Sequence, residues 1–149
     1  MFLGENSTNE QFSRKIKELL EEYSLSRLAL AKKLSISSTT INGYFNKNYY
    51  PTIEIALKMA KFFNCSLDYL FGLTDNISPL SLKSSNFIDR FNFLIKSKNN
   101  SIAKTMGELN MSEYSYYRWK KGLLPKTNKL LDIIKYFDTS LDFILGYGK

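Results

Sequence analysis

The same short segment is written twice in this sequence of 149 residues, as SLDYLFGLT at residues 66–74 and as SLDFILGYG at residues 140–148. The two segments lie 74 residues apart, and farther upstream the offset becomes 75 because one residue is missing from the loop before Pro125. Corresponding positions include Pro51 and Pro125, Tyr44 and Trp119, Leu19 and Leu94, and Phe12 and Phe87. An internal duplication of this period predicts two small, similar units, each of which must bury its own core.

Each copy has the apolar spacing of short helices. The first copy opens with apolar residues at i, i+4, i+7, i+8 and i+11, which form one face of a helix. They are Phe12, Ile16, Leu19, Leu20 and Tyr23. A second helix (residues 26–34) and a third helix (residues 38–45) follow, and the serines that can cap them are Ser26 and Ser37. A tight turn at Ser35 would join these two helices, and a fourth helix begins after Thr52.

The repeated segment has the features of a short, capped helix. Ser66 is placed as an N-cap, Asp68 lies in the first turn, where the helix dipole favours a carboxylate, and Gly72 supplies a left-handed end. These features predict a structural role for Asp68 and its counterpart Asp142, and they argue against a catalytic role.

The residue types that many enzymes and metal sites use are scarce in this chain. It has no histidine and one cysteine, Cys65, which excludes histidine-based catalytic triads, the usual zinc sites and an internal disulfide. We therefore expect no catalytic residues, no metal and no cofactor, and we expect Cys65 to be a buried packing residue. The opening MFLGENSTNEQ lacks the pattern of a signal peptide, and no apolar run reaches membrane-spanning length. These features predict a cytoplasmic protein without membrane contact.

Positive charge is shared by both copies. The chain has 21 lysine and arginine residues against 14 aspartate and glutamate residues, a net charge of +7. Residues 12–76 contribute +3 and residues 87–149 contribute +5, so both copies would be attracted to polyanions. Because a basic balance is also common in proteins that bind no nucleic acid, the charge needs support from a motif.

That motif is a pair of short helices joined by a tight turn, with small polar residues on the outer face of the second helix, which is typical of a helix-turn-helix. The first copy resembles the lambda-repressor-like (Cro or XRE-type) helix-turn-helix family in three successive segments: LALAKKLSIS, STTINGYFNKNYYPT and FFNCSLDYLFGLTD. In the second copy YYRWKKGLLP is similar to the family's exit from the recognition helix. Its second helix departs from the family, because Met106 replaces the usual alanine and Gly107 lowers the stability of the helix by about 1 kcal/mol.

The resemblance implies an all-α fold made of two tandem five-helix lambda-repressor-like domains joined by a short linker. The expected organisation is an N-terminal extension at residues 1–11, a first helix-turn-helix domain at 12–76, a linker at 77–86 and a second helix-turn-helix domain at 87–149. The linker is serine-rich. About twelve residues of this composition reach roughly 20 Å when relaxed and 40 Å when extended, so the two copies could serve adjacent DNA half-sites.

The resemblance also implies positions that contact DNA. In the first copy Ser38, Thr39 and Asn42 match positions that reach base edges, and asparagine suits adenine while the threonine methyl suits thymine. The first-copy candidates for phosphate contacts are Arg27, Asn46, Asn48 and Tyr49. Further DNA-binding candidates in this copy are Ser37 and Thr40. The second-copy candidates are Glu113, Tyr114, Tyr117, Arg118, Lys120 and Lys121. The alternative for the first copy is a merely solvated helix face, and for the second copy an aromatic surface that grips a protein.

The function implied is a sequence-specific regulator of transcription that binds a double-stranded DNA operator, a repressor of bacterial or phage type and not an enzyme. Because members of this family read paired half-sites, we expect a homodimer. The alternative is a protein-interaction module in which the second copy binds a partner protein or mediates dimerisation.

Overall fold

A computed structural model describes residues 7–46 and 49–148 of the chain, with side chains from Glu10 onward. Within these residues all regular structure is helical, apart from one isolated antiparallel bridge between Lys83 and Tyr147. The chain divides into two compact units, Met1–Leu80 (unit 1) and Ser81–Lys149 (unit 2). The helices of unit 1 are α1 (Ser7–Glu22), α2 (Arg27–Leu34), α3 (Ser38–Asn46), α4 (Ile53–Phe63) and α5 (Leu67–Leu70). Those of unit 2 are α6 (Phe87–Ser97), α7 (Ile102–Glu108), α8 (Glu113–Lys120), α9 (Thr127–Phe137) and α10 (Leu141–Ile144).

The core of unit 1 is built on the apolar face of α1. The Phe12 ring lies 5.5 Å from that of Tyr44 and 5.1 Å from that of Phe71, measured between ring centroids. Four of the five residues of the predicted stripe are buried, and the fifth, Tyr23, is half-exposed at the rim. The Tyr23 hydroxyl donates a hydrogen bond to the carbonyl oxygen of Phe63 over 3.2 Å. The stripe therefore joins α1 to the end of α4 through a phenol with a polar tip.

The caps predicted at Ser26, Ser37 and Ser66 are confirmed, and Thr52 caps α4 in the same way. The hydroxyl oxygens of Ser26, Ser37, Thr52 and Ser66 each accept a hydrogen bond from a backbone N–H three residues later. Ser35 ends α2 in the left-handed conformation, and Gly72 follows α5 with a φ of 72°. Cys65 is buried, as predicted. Local signals of this kind fix where each helix starts and stops.

The core of unit 2 centres on Trp119. Its ring meets those of Phe87 and Phe91 edge to face, at centroid distances of 5.5 and 5.4 Å. The Tyr116 hydroxyl, on the same helix, donates a 2.7 Å hydrogen bond to Asn92 Oδ1. Because Trp119 and Tyr116 both point inward from α8, the opposite side of that helix is left at the surface.

Residues just before α6 pack against the last described residues of unit 2. The Ser84 N–H donates to the Gly146 carbonyl oxygen over 2.8 Å, and the Gly148 N–H donates to the Leu82 carbonyl oxygen over 3.0 Å. Residues 81–86 of the predicted linker thus lie within unit 2. At the other end of the chain, α1 begins at Ser7, upstream of the predicted start of the first domain at residue 12.

Arg90 is buried and ties this contact together. Its guanidinium donates to the carbonyl oxygens of Phe143 and Gly148 over 2.9 and 2.7 Å, and to Ser84 Oγ over 2.9 Å. Its Cζ also lies 4.3 Å from the centroid of the Phe143 ring. A buried guanidinium costs stability unless its donors are satisfied, and these acceptors satisfy several of them.

The two units repeat their unusual backbone conformations at corresponding positions. Non-glycine residues with a positive φ occur in both units at the same three places: Ser24 and Asn99 (53° and 56°), Ser35 and Asn110 (57° in both), and Asn64 and Asp138 (54° and 52°). Serine, asparagine and aspartate tolerate this conformation better than bulkier residues. The likeness between the two copies is thus present in the backbone as well as in the sequence.

None of the described helices combines the length and the apolar character that crossing a membrane requires.

Candidate nucleic-acid interface

Helices α2 and α3 form the two arms of a helix-turn-helix in unit 1. Their inward residues are buried: Leu30, Ala31 and Leu34 on α2, and Ile41, Gly43 and Tyr44 on α3. The Ser13 hydroxyl on α1 donates a hydrogen bond to the carbonyl oxygen of Tyr44. Burial raises the pKa of Tyr44 to about 12, so its phenol is neutral at physiological pH. With its inner side held in this way, α3 turns its other side to solvent.

Ser38 and Thr39 lie on that outer side. Both are exposed, and neither hydroxyl has a hydrogen-bond partner among the described residues. Hydroxyl groups can donate to and accept from base edges, and the threonine methyl group can contact thymine. These two side chains are therefore available to a ligand that meets the first turn of α3.

Ser37 and Thr40 are used differently. Ser37 Oγ accepts a 3.1 Å hydrogen bond from the Thr40 N–H, and the two hydroxyl oxygens lie 2.8 Å apart. Ser37 thus caps α3, and the Ser37 and Thr40 hydroxyl groups hydrogen-bond to each other. Of the hydroxyl residues predicted for this site, two are thus placed at the surface without partners and two fix the start of the helix.

Arg27 and Asn42 are brought together. Arg27 Nη1 donates to Asn42 Oδ1 over 3.3 Å, and Arg27 Cζ lies 4.0 Å from the centroid of the Phe45 ring. The family resemblance implies a phosphate contact for Arg27 and a base contact for Asn42. In the fold these two residues form one pair that bridges α2 and α3. Phe45 was not among the predicted site residues, and nothing in its local sequence indicates that an arginine stacks on it.

The loop that follows α3 is held against the helix by Tyr49. Its N–H donates to the carbonyl oxygen of Gly43 over 3.4 Å, and a Cβ at Gly43 would lie 3.0 Å from Tyr49 Cδ2. Glycine at this buried helical position lets the tyrosine ring approach. Gly43 was not among the predicted site residues; the signal for it in the sequence is a glycine inside a helix, where glycine lowers stability. Asn46 is exposed at the end of α3, and Asn48 lies outside the described residues.

The corresponding surface of unit 2 is aromatic and basic. On α8 Tyr114 is 71% exposed and Tyr117 is 53% exposed. Lys120 Nζ lies 5.6 Å from the centroid of the Tyr117 ring. The remaining predicted residues of this helix and its exit are also exposed: Glu113, Arg118 and Lys121. Ser112 Oγ accepts from the Ser115 N–H over 3.4 Å, so α8 starts with the same kind of cap as α3.

The Arg27 pair has no counterpart in unit 2. The positions that correspond to Arg27, Asn42 and Phe45 are occupied by Ile102, Tyr117 and Lys120. None of these three residues has a guanidinium or an amide side chain, so unit 2 has no equivalent of the Arg27–Asn42 pair at these positions. The two outer faces therefore differ in chemistry even though their helices have the same place in the repeat.

No group of three or more potential metal-binding side chains occurs within residues 7–46 and 49–148. The surfaces of α3 and α8 carry hydroxyl, amide, phenol and cationic groups beside the Glu113 carboxylate. The donors among these groups suit hydrogen bonding to a polar or anionic partner.

Comparison with known proteins finds similarity to transcriptional regulators. A family model described as helix-turn-helix matches residues 16–70, within unit 1. The chain is 33% identical over 75 residues to the uncharacterized HTH-type transcriptional regulator RP766 of Rickettsia prowazekii, covering 45% of this chain and 82% of the relative. It is 33% identical over 75 residues to RC1195 of Rickettsia conorii, covering 45% of this chain and 69% of that regulator.

A third relative is the uncharacterized HTH-type transcriptional regulator YobD of Bacillus subtilis. The chain is 26% identical to it over 68 residues, covering 46% of this chain and 61% of YobD, so less than two thirds of that relative is spanned. No solved structure matches the chain significantly.

Proposed function

Because this chain belongs to the helix-turn-helix family of transcriptional regulators, we propose that it binds double-stranded DNA in a sequence-specific manner and represses transcription. The observation that carries the proposal is the outer side of α3. Ser38 and Thr39 are exposed there without partners among the described residues, and Arg27 stands beside Asn42 at 3.3 Å. Short polar side chains on a helix that is rigidly held from behind suit reading in the major groove.

Contacts to the DNA backbone complete this proposal. Tyr49 is 55% exposed beside α3, and Asn46 is exposed at its end, where both can donate hydrogen bonds to phosphate oxygens. The net charge of +7 attracts the polyanion over longer distances. Repression follows if the bound chain occupies an operator that polymerase also needs.

We propose further that unit 2 is a second helix-turn-helix domain and that the protein is a homodimer. The shared positions of the left-handed residues and the cap of α8 support the first part. Proteins of this kind read paired half-sites as dimers, which motivates the proposal of a homodimer. Light scattering with and without bound duplex distinguishes a homodimer from a monomer whose two units serve adjacent half-sites.

The test of DNA binding is selection from a pool of random duplexes, followed by titration of the selected duplex at several salt concentrations. We expect one preferred sequence and a logarithm of the binding constant that falls linearly with the logarithm of salt concentration. Failure to enrich any sequence, together with no binding at low salt, contradicts the proposal. A reporter gene placed behind the selected sequence tests whether the bound protein represses.

A second candidate function is protein binding by unit 2. Four large apolar or aromatic residues are about half exposed or more on α8 and the loop after it: Tyr114, Tyr117, Leu123 and Leu124. Such a cluster is typical of an interaction surface. If the double substitution of Tyr114 and Tyr117 by alanine abolishes self-association or capture of a partner protein while DNA binding stays intact, unit 2 is an interaction module. A changed DNA sequence preference in the same variant instead assigns α8 to DNA.

A further inference from the structure

This inference rests on the proposed function of unit 1 and concerns how it selects a base. We propose that Arg27 determines the specificity of the site by controlling which hydrogen-bonding groups Asn42 presents to DNA, so that Asn42 reads guanine and not adenine. Arg27 would then be a positioning and specificity-determining residue, and more than an anchor for phosphate.

The orientation of the Asn42 amide follows from the chemistry of its neighbour. A guanidinium carries only hydrogen-bond donors, so the atom of Asn42 that faces it must be the oxygen. Arg27 Nη1 lies 3.3 Å from Asn42 Oδ1. The amide nitrogen, with its two N–H donors, is consequently directed away from Arg27.

The position of Arg27 is itself fixed from two sides. It is the first residue of α2, directly after the Ser26 cap, whose oxygen accepts from the Ala29 N–H over 3.0 Å. Its guanidinium lies 4.0 Å from the centroid of the Phe45 ring, a stacking geometry that restricts a long side chain. Among the described residues, the ion pair is formed by Lys15 and Glu18 and does not involve Arg27. The remaining donors of the guanidinium are therefore not spent on a carboxylate.

The consequence concerns base recognition. Asparagine recognises adenine by using both amide atoms, since its oxygen accepts from N6 and its nitrogen donates to N7. In this fold the oxygen already accepts from Arg27, and what remains is a donor. Guanine presents two acceptors in the major groove, O6 and N7.

The experiment compares the sequences selected from random duplexes by the wild-type chain and three variants: Asn42→Ala, Arg27→Met and the double variant. Methionine keeps an unbranched side chain over Phe45 but has no N–H donors. The contacted base pair is identified as the one at which Asn42→Ala loses preference. We expect the wild type to prefer guanine there, and Arg27→Met to shift the preference toward adenine by about five-fold or more.

The double variant and a matched charge control complete the design. In the Asn42→Ala background, Arg27→Met should cause no further change at that base pair, because the two residues act as one unit. Arg14→Met removes the same charge from an exposed position on α1 and should weaken all duplexes slightly without changing the preferred base. Circular dichroism establishes that each variant is folded.

A wild-type preference for adenine at that base pair overturns the inference, and so do two other outcomes that leave the proposed function intact. One is an unchanged base preference in Arg27→Met at the pair that Asn42→Ala affects. The other is an Asn42→Ala variant that loses no base preference at all. If the wild-type chain selects no sequence, it is instead the proposed function that fails.

Discussion

Helices α3 and α8 occupy the same place in the two units, yet they present different surfaces. Both start with a capping serine and both bury an aromatic residue at the corresponding position, Tyr44 and Trp119. On the outer side, Thr39 of α3 corresponds to Tyr114 of α8. Caps and buried residues are alike because they specify the fold, whereas the exposed residues are free of that requirement and differ. The difference teaches that a shared scaffold does not imply a shared ligand.

A second comparison concerns a cation that lies over an aromatic ring. Lys15 Nζ lies 4.3 Å from the centroid of the Tyr69 ring in unit 1, and Arg90 Cζ lies 4.3 Å from that of Phe143 in unit 2. Lys15 pairs with Glu18 near the surface. Arg90 is buried and also binds the last described residues of its unit. The same contact is thus peripheral in one unit and structural in the other.

The largest difference in stability is expected at the glycines that end α5 and α10. A Cβ at Gly146, where φ is 96°, would lie 2.1 Å from the Ser85 carbonyl oxygen, whereas at Gly72 the nearest atom is Gln11 Cβ at 2.9 Å. We expect Gly146→Ala to destabilise unit 2 by about 3 kcal/mol or more. Gly72→Ala should destabilise unit 1 by about 1 to 2 kcal/mol, the strain of the left-handed conformation.

Fluorescence of Trp119, the only tryptophan in the chain, measures unfolding of unit 2 in denaturant, and circular dichroism follows both units. Gly72→Ala serves as the control, because it should leave the Trp119 transition in place. Equal shifts of that transition in both variants would contradict the assignment of these glycines to separate units.

The next effect tests the two cations. Arg90→Met removes the charge-assisted hydrogen bonds from the guanidinium to the Phe143 and Gly148 carbonyl oxygens, and we expect a loss of about 2 to 3 kcal/mol in unit 2. Lys15→Met should cost unit 1 no more than about 1 kcal/mol, because its partner Glu18 is exposed and such pairs contribute little. Both losses are measured by the denaturant midpoints described above. Similar losses in the two units would remove the distinction between a peripheral and a structural cation.

A smaller effect separates the outer faces. Thr39→Ala should weaken binding to the selected duplex by about 1.5 kcal/mol, through the lost methyl contact and hydroxyl, and leave non-specific binding almost unchanged. Tyr114→Ala, at the corresponding position, should change binding by less than about 0.5 kcal/mol if α8 does not read bases. Fluorescence anisotropy with specific and scrambled duplexes measures both. Comparable losses on the specific duplex would mean that both helices read DNA.

A further effect is the pH dependence that Tyr44 gives to unit 1. Burial raises the pKa of Tyr44 to about 12, whereas the unfolded phenol titrates near about 10. Because the folded state holds the proton more tightly, Tyr44 contributes stability that is complete below about pH 10 and is lost as the pH rises toward 12. Its counterpart Trp119 has no group that titrates there.

We therefore expect Tyr44→Phe to reduce the alkaline loss of the helical signal that occurs without a change in Trp119 fluorescence. Tyr147→Phe in unit 2 is the control. An alkaline transition of unit 1 that is the same in wild type and Tyr44→Phe would contradict the role of this phenol.

Much of the fold was predictable because its signals are local. The caps at Ser26 and Ser66 and the left-handed end at Gly72 depend on residues a few positions away, and the structure confirms them. The family match supports the helix-turn-helix in unit 1. Tyr23 fitted the apolar spacing, but its hydroxyl keeps it at the rim of the core.

The arrangement of the candidate site was less accessible to sequence reasoning. The pairing of Arg27 with Asn42 joins residues 15 positions apart on different helices, and it depends on how closely α2 approaches α3. The packing of Tyr49 on Gly43 depends in the same way on the path of a loop. Composition marked residues 77–86 as a linker, but hydrogen bonds to Gly146 and Gly148 draw part of that segment into unit 2. Contacts of this kind are set by tertiary packing and leave little trace in local sequence.

The hydrogen bond between Leu82 and Gly148 bears on whether unit 2 can be inserted into another protein. The Gly148 N–H donates to the Leu82 carbonyl oxygen over 3.0 Å, so the segment before α6 lies beside the last described residue of unit 2. A unit with neighbouring termini can be grafted into a surface loop of an unrelated host without stretching either junction. Unit 2 therefore satisfies the geometric condition for insertion into another protein. Arg90 donates hydrogen bonds to both Ser84 and Gly148 and so holds these two segments together.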